Sequence, residues 1–436
     1  MFIRDSFFYQ QTGSGRLLMK LYPHQQQTLE QLKGFPNMGI FHDMGLGKTF
    51  TGSEALIRYG NRVNLVICQK SKVEDWYYHF LENYPDVVVK NLTNKLDLLD
   101  FNKGNFFYTT VGVINYELVW RRKELLKLQD FTLILDESSL IQNPNAKRTK
   151  FILKMNPDHV ILLSGSPVGG KYENLWSQCH LLGWNISLHA YEQTYVNWDR
   201  IQVGDTYHRI VKKDDPYKNV DRLKAKMKKH GAVFLKTEEV IQLPQQQFTT
   251  VYCKQTKEYQ LFRKHGSVVV EGEELSADTS LTKLLYARQL CSQYNQNKLD
   301  SFRDLVQSTG NRLVVFYNFD RELKELKKIC LEEGRPVSQI NGHVKDLQAY
   351  KECSDSVTLI QYQAGSMGIN LQLSNTIIYF SLPLSSEYFE QSKKRIHRIG
   401  QRNRCLYYVM VCRHSVEEQI YSTLKQRKDF TDALFI

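Results

Sequence analysis

The chain has 436 residues, 42% hydrophobic and 24% charged, enough for about two or three domains with their own cores, and this composition excludes a disulfide-stapled mini-scaffold or a disordered chain. Apolar runs such as Val160–Leu163 fall far short of the ~18 residues of a membrane span. Met1–Gln11 lacks the basic start and apolar stretch of a secretory signal, so no membrane association and a cytoplasmic location are expected. With 58 Lys and Arg against 46 Asp and Glu, the net charge of +12 favours a polyanionic partner such as nucleic acid.

Short apolar runs alternate with longer amphipathic stretches in two blocks, the pattern of parallel sheets with crossover helices. The first block predicts strands at Met38–Phe41, Val63–Cys68, Phe106–Thr110, Thr132–Leu135 and Val160–Leu163. The second predicts them at Leu313–Tyr317, Thr358–Tyr362, Ile377–Phe380 and Tyr407–Val411. Two α/β lobes are therefore expected, over residues 20–182 and 301–436, after an N-terminal segment 1–19. Residues 183–300 have weaker strand signal and helix-like spacing around Leu281, Leu284, Leu285 and Leu290, and predict a short helical insertion and connector. Within it, Arg200–Lys236 carries eleven basic residues against four acidic ones. That run reads either as a solvated helix face around Arg222–Lys229 or as a surface that tracks phosphates.

The eight cysteines form no C-x-x-C pair, so neither a zinc ribbon nor a redox dithiol is indicated. Cys405, Cys412 and His414 come nearest to a metal cluster, but the alternation in Leu406–Val411 reads as a buried strand.

Three segments carry chemistry. Met38–Thr49 puts a strand and a glycine-containing turn (His42, Asp43, Met44, Gly45, Leu46, Gly47) before Lys48, Thr49 and a helix-like stretch to Tyr59. That order lets backbone N–H groups and Lys48 hold phosphates while the Thr49 hydroxyl ligates magnesium. Phe131–Ser139 is an apolar strand ending in Asp136 and Glu137. Successive strand residues face opposite ways, so Asp136 can reach a loop-bound Mg2+ while Glu137 orients a water. Gln391–Gln401 places Arg395 and Arg398 three apart, with Gln391 one turn earlier. On one helical face these can serve as cations that neutralise charge building on a γ-phosphate across an interlobe cleft, or they are surface charges.

In this order the segments resemble the Swi/Snf-type ATPases of helicase superfamily two, over about residues 20–427. Leu21–Gln25 is similar to the family's adenine-recognition motif, Asp43–Thr49 to its phosphate loop, and Leu65–Ser71 with Trp76 to the segment that touches the DNA backbone. Asp136–Ser139 stands where the family has Asp-Glu-Ala-His or a variant, and Leu163–Pro167 resembles motif III. In the second block Val314–Tyr317, Ala364–Leu371 and Gln391–Gln401 resemble motifs IV, V and VI.

The resemblance implies two tandem RecA-like lobes and a DNA-stimulated ATPase that translocates along duplex DNA without reading sequence. A strand-separating helicase is the alternative, and a non-catalytic scaffold a third reading. It implies ATP and Mg2+ as ligands, with Gln25 on adenine and Lys70, Ser71, Trp76, Ser164, Gly165, Ser166, Gly365 and Ser366 on DNA. Ser139 in place of the usual histidine puts the coupling of hydrolysis to motif III in doubt, and Gly169 and Gly170 loosen that turn. Without a chromatin-reading module, the chain looks more like bacterial or phage members of the family, and a monomer is expected.

Overall fold

Strands buried on both faces must be apolar at nearly every position, because helices cover both sides of a parallel sheet. The computed structural model, which describes residues 9–11, 17–19, 21–104, 107–168, 170–204, 206–365 and 369–435, contains two such sheets. They belong to separate units, Met1–Val240 with Phe430–Ile436, and Ile241–Asp429.

In the first unit an antiparallel pair, Tyr9–Gln11 with Leu17–Met19, is followed by the strands β1 (Asn37–His42), β2 (Val63–Cys68), β3 (Val88–Asn91), β4 (Thr110–Asn115), β5 (Phe131–Asp136), β6 (His159–Leu163), β7 (Trp198–Val203), β8 (Thr206–Val211) and β9 (Ala232–Leu235). Seven of them form a sheet in the order β9-β1-β6-β5-β2-β4-β3, with every neighbouring pair parallel. Alternation divides each strand between two cores: Leu65 and Ile67 of β2 pack in one, Val66 and Cys68 in the other. Helices α1 (Pro23–Gln31), α2 (Lys48–Tyr59), α3 (Val73–Asn83), α4 (Leu188–Tyr195) and α5 (Val220–Lys229) also belong to this unit.

The second unit contributes β10 (Gln246–Cys253), β11 (Ser267–Val270), β12 (Glu273–Ser276), β13 (Leu313–Tyr317), β14 (Val337–Ile340), β15 (Lys345–Asp346), β16 (Val357–Gln361), β17 (Thr376–Tyr379) and β18 (Cys405–Cys412). Its seven-stranded sheet has the order β10-β18-β17-β13-β16-β14-β15, parallel except for the β14–β15 edge. Again the faces alternate, Val315 and Tyr317 of β13 packing in one cluster and Val314 and Phe316 in the other. Helices α6 (Ser280–Cys291), α7 (Gln296–Gln307), α8 (Asp320–Glu332) and α9 (Ser386–Lys393) lie in this unit.

Three expectations are corrected. The strand predicted at Phe106–Thr110 runs instead from Thr110 to Asn115, where every residue is buried, while Phe107 and Tyr108 are 87% and 68% exposed. A local aromatic pair mimicked a strand that the neighbouring β-branched residues actually make. The stretch 183–300 is not one helical connector: it supplies β9 to the first sheet and β10 to the second, plus the antiparallel ribbons β7–β8 and β11–β12. The helix predicted around Leu281 is present as α6, but it buries Ala287, Leu290 and Cys291 and leaves Leu281 73% exposed.

Cys405 and Cys412 sit at opposite ends of β18, about 23 Å apart at ~3.3 Å per residue, which separates them beyond any shared metal. Among the described residues no helix is long and apolar enough to cross a membrane.

Candidate active site

In the first sheet, Ile40 of β1 pairs with Leu163 of β6, and Leu163 with Asp136 of β5. The carboxyl ends of three adjacent parallel strands therefore meet, which is where open α/β sheets bind ligands. From β1 the chain turns through 43–47 into α2, with Gly45 and Gly47 at φ 89° and 72°. A side chain at Gly47 would be strained in this left-handed conformation, and its Cβ, 2.4 Å from Gln25 Nε2, would displace the glutamine amide. The first N–H groups of α2, at Lys48, Thr49 and Phe50, have no intrahelical acceptor and sit at the positive end of the helix dipole.

The loop is held from three sides. Gln25, buried at the start of α1, accepts from the Tyr22 N–H at 2.8 Å and donates Nε2 to the Gly47 carbonyl at 3.1 Å. His24 Nε2 lies 3.0 Å from the Leu46 carbonyl, and the Leu46 side chain itself is buried. Asp43 Oδ2 accepts from the Thr237 hydroxyl at 2.9 Å, and the Asp43 N–H donates to the Leu235 carbonyl at 2.8 Å, so β9 braces the loop. Lys48 Nζ donates to the carbonyls of His42 and Asp43 at 2.9 and 3.3 Å. Burial, then the nearby Lys48 charge and His24, push the His42 imidazole down to about 3, so it is neutral at physiological pH. Met44 packs over Gly165, whose added Cβ would lie 3.1 Å from Met44 Cγ and 3.3 Å from Lys48 Nζ.

Asp136 ends β5, and its Oδ2 accepts the Trp76 indole N–H at 2.8 Å. Its carbonyl takes the Tyr116 hydroxyl at 3.0 Å. Burial pushes the Asp136 carboxyl up, opposed by the Trp76 hydrogen bond and by the charges of Lys72 and Lys48. Glu137 follows at φ 52°, a left-handed conformation that costs a non-glycine residue about 1 kcal/mol or more and clusters at functional sites. Thr49 and Asp136 thus offer hard oxygen ligands of the type Mg2+ takes, beside a lysine and free helix N–H groups, and this donor set fits a metal-bound nucleoside triphosphate.

Ser139 is buried, but its neighbour supplies a link to the following loop. Ser138 Oγ donates to Gln178 Oε1 at 2.8 Å, and Gln178 Nε2 donates to the Pro167 carbonyl at 2.7 Å. Both side chains are fully buried. The carboxylate segment and the 164–168 loop therefore share an anchor through a residue that sequence reasoning missed, 40 positions from Ser138.

In the second unit α9 ends at Lys393, so Arg395 and Arg398 stand in turns rather than on the helical face expected of them. The turns are fixed by Gln401, whose Nε2 donates to the Ser374 and Gln372 carbonyls at 2.8 and 3.2 Å. Gln391 is buried and donates to Glu387 at 3.1 Å. Arg395 is 8% exposed, with its carbonyl accepting the Leu371 N–H at 3.0 Å. Arg398 donates to Asn370 Oδ1. The segments 369–371 and 391–401 are thereby joined. Gly365 closes a short helix, Tyr362–Gly365, and Ser366 lies outside the described residues.

The SNF2-related domain family matches residues 24–298, and the helicase conserved C-terminal domain matches 297–400. The chain belongs to the SNF2-related family. It is 22% identical over 427 residues to an uncharacterized ATP-dependent helicase of Mycoplasma genitalium, covering 90% of this chain and 40% of that protein. It is 24% identical over 458 residues to the ISWI chromatin-remodeling complex ATPase ISW2 of Saccharomyces cerevisiae, covering 94% and 40%. The chain thus spans about 40% of the length of these relatives. A Sulfolobus solfataricus SWI2/SNF2 ATPase core in complex with dsDNA is 21% identical, with 97% of this chain and 95% of that one covered at a TM-score of 0.45.

In this SNF2-related chain the two sheets are the tandem RecA-like lobes of the fold, and the residues expected on DNA divide by exposure. Lys70 and Ser71 are exposed at the carboxyl end of β2. They line a recess of about 390 Å³ with Asn91, Thr93, Asn115 and Glu117, residues the sequence did not single out. Asn115 Nδ2 donates to Glu117 at 2.6 Å, while its buried Oδ1 has no partner among the described residues. Trp76, by contrast, is 2% exposed. Its position on the inner face of α3 turns the indole toward Asp136, so a DNA contact by its side chain is corrected to a carboxylate contact. Ser164 and Ser166 are also buried, the Ser164 hydroxyl accepting the Ser166 N–H at 3.1 Å, and Gly165 faces the phosphate loop.

Trp76→Phe removes the hydrogen bond and keeps an aromatic ring in the core, though a smaller one. Loss of such an outer support costs about 10- to 100-fold in metal affinity or activity. The expected result is a rise of that order in the Mg2+ concentration needed for half-maximal ATP hydrolysis, with DNA affinity unchanged. A Mg2+ titration that overlays the wild type would reduce the indole to packing.

Proposed function

We propose that the chain is a DNA-stimulated ATPase that converts ATP hydrolysis into movement along duplex DNA, contacting phosphates rather than base edges. The observation that carries this reading is that β1, β6 and β5 run side by side and parallel, so that Lys48, which opens α2 after a loop braced by Gln25 and Thr237, lies at the same end of the sheet as Asp136 and Glu137 of β5.

Lys48 and the α2 N–H groups would bind the β- and γ-phosphates, with Gln25 beside the adenine. Thr49 and Asp136 would hold Mg2+, which when bound neutralises charge on the phosphate oxygens. Trp76 keeps the Asp136 carboxylate aimed. Glu137 would orient the attacking water and take its proton. Gln391, Arg395 and Arg398 of the second lobe would supply polar and cationic stabilisation as charge builds on the γ-phosphate. DNA would meet Lys70 and Ser71 in the first lobe and the loop at Gly365 and Ser366 in the second.

Steady-state ATP hydrolysis measured without nucleic acid and with single-stranded DNA, short and long duplexes, and RNA tests the reading. Stimulation that grows with duplex length is expected. Stimulation by single strands alone would replace translocation with strand separation, and indifference to every nucleic acid would sink the proposal.

A further inference from the structure

The ribbon β7–β8 joins neither large sheet. Its root is anchored: Trp198 and Val211 pack on the first unit's core, the Lys212 N–H donates to the Asn197 carbonyl at 2.9 Å, and Val196 bridges to Tyr217. Beyond the root, Asp199–Gln202 and Thr206–Ile210 are exposed residue after residue, on both faces. Six residues per strand make the ribbon roughly 20 Å long from its packed root to its tip. A two-stranded ribbon with neither face buried is marginal by itself, so its sequence has to be explained by something other than the core.

Register sorts the side chains. Trp198, Arg200 and Gln202 lie opposite Val211, Arg209 and Tyr207, and because alternate residues share a face, these six form one side. That side holds two arginines directly opposite each other, a tyrosine 71% exposed, and no carboxylate. Like charges facing across a strand pair are destabilising. Arg209 is partly compensated, lying 4.0 Å over the Trp198 ring and 3.3 Å from Glu192. Arg200 has no ion pair among the described residues. At the root lies a recess of about 400 Å³ whose charged lining is Arg209, Lys212 and Lys218 against Asp199 and Asp215, a net positive wall. The other side of the ribbon carries Ile201 and Ile210, about 40% exposed.

The arrangement of paired arginines, an exposed tyrosine and flanking lysines on an arm narrow enough for a DNA groove fits a polyanion. We propose that the Arg200–Tyr207–Arg209 side of the β7–β8 ribbon is a duplex-DNA contact, separate from the strand-end loops of the two lobes, with the arginines on phosphates and Tyr207 against sugar or base. It rests on the DNA-motor reading and adds an arm to it. The lysines of α5 do not belong to this side: that helix buries Leu223 and Met227, and Lys226, Lys228 and Lys229 fall in its last turn, where the helix dipole already favours cations.

The test compares wild type, the double variant Arg200→Ala/Tyr207→Ala, and the opposite-side control Ile201→Thr/Ile210→Thr. Binding to a 40-base-pair duplex is measured across a salt series, beside DNA-free ATP hydrolysis and thermal melting. The arginine–tyrosine variant should bind about tenfold more weakly, with the slope of log affinity against log salt reduced by about 0.9 for the single phosphate that Arg200 no longer neutralises. Its DNA-free hydrolysis and melting should stay at wild-type values, and the control should bind normally. Wild-type affinity and slope in the arginine–tyrosine variant, equal loss in the control, or an effect on single strands alone would each overturn the ribbon while leaving the motor in place. Failure of the wild type to bind or respond to duplex would overturn the motor reading and the ribbon with it.

Discussion

Glu137→Gln is expected to lower ATP turnover by about 10²- to 10⁴-fold, the usual contribution of a positioned general base, while ATP binding is retained. The substitution changes one oxygen to an amide nitrogen and leaves Lys48, Thr49 and Asp136 untouched. Glu137 leaves β5 at φ 52°, so the chain turns sharply as soon as the strand has delivered Asp136. The turn replaces the strand alternation expected to divide the two roles, because Glu137 lies beyond the strand, and along a continuing strand consecutive side chains would point to opposite faces. A left-handed residue breaks the alternation and frees the second carboxylate to serve the same strand end as the first. Lys48→Ala separates the two roles, since removing the cation that reaches the His42 and Asp43 carbonyls should weaken nucleotide binding itself. Single-turnover hydrolysis and binding of a fluorescent ATP analogue distinguish these outcomes. Wild-type turnover in Glu137→Gln would mean that the water is oriented by another group.

The two sheets were legible because parallel strands covered on both faces have to be apolar without interruption, and Val63–Cys68, Leu313–Tyr317 and Tyr407–Val411 are runs of that kind. Edge strands lose this signature. β10 shows mostly exposed or half-buried positions from Gln246 to Tyr252, and β9 is four residues long, so neither rose above the polar stretch around it. The same holds for the nucleotide site. Lys48, Asp136 and Glu137 are adjacent to recognisable turns and could be named from the chain. Their supports could not, because Trp76 reaches Asp136 across 60 positions and Thr237 reaches Asp43 across 194. Trp76 shows the cost of reading by motif alone. An aromatic near Lys70 and Ser71, the residues expected on DNA, invites a stacking role, but its place on α3 decides that it faces the sheet.

Lys298→Met should destabilise the second lobe by about 3–5 kcal/mol, the penalty for leaving one member of a buried ion pair without its partner. Lys298 and Glu417 have side chains 0% and 3% exposed, and Nζ lies 2.6 and 2.8 Å from the two carboxylate oxygens. Glu417 also accepts the Cys412 N–H at 2.9 Å, while Asn295 Nδ2 lies 3.0 Å from the Cys412 sulfur. The pair therefore ties α7 to the end of β18. Cys291, Cys412 and Glu417 bring three potential metal ligands within 4.8 Å of one another, but the lysine ammonium already satisfies the carboxylate. Amide hydrogen exchange along β18 isolates the effect from the first lobe, which a whole-chain melt would not, because two units need not unfold as one transition. Protection of the β18 amides should fall sharply in Lys298→Met and return in large part in Lys298→Met/Glu417→Gln, where no unpaired charge is left. If the double variant is no better protected than the single, the loss comes from packing of the lysine stem rather than from the orphaned carboxylate.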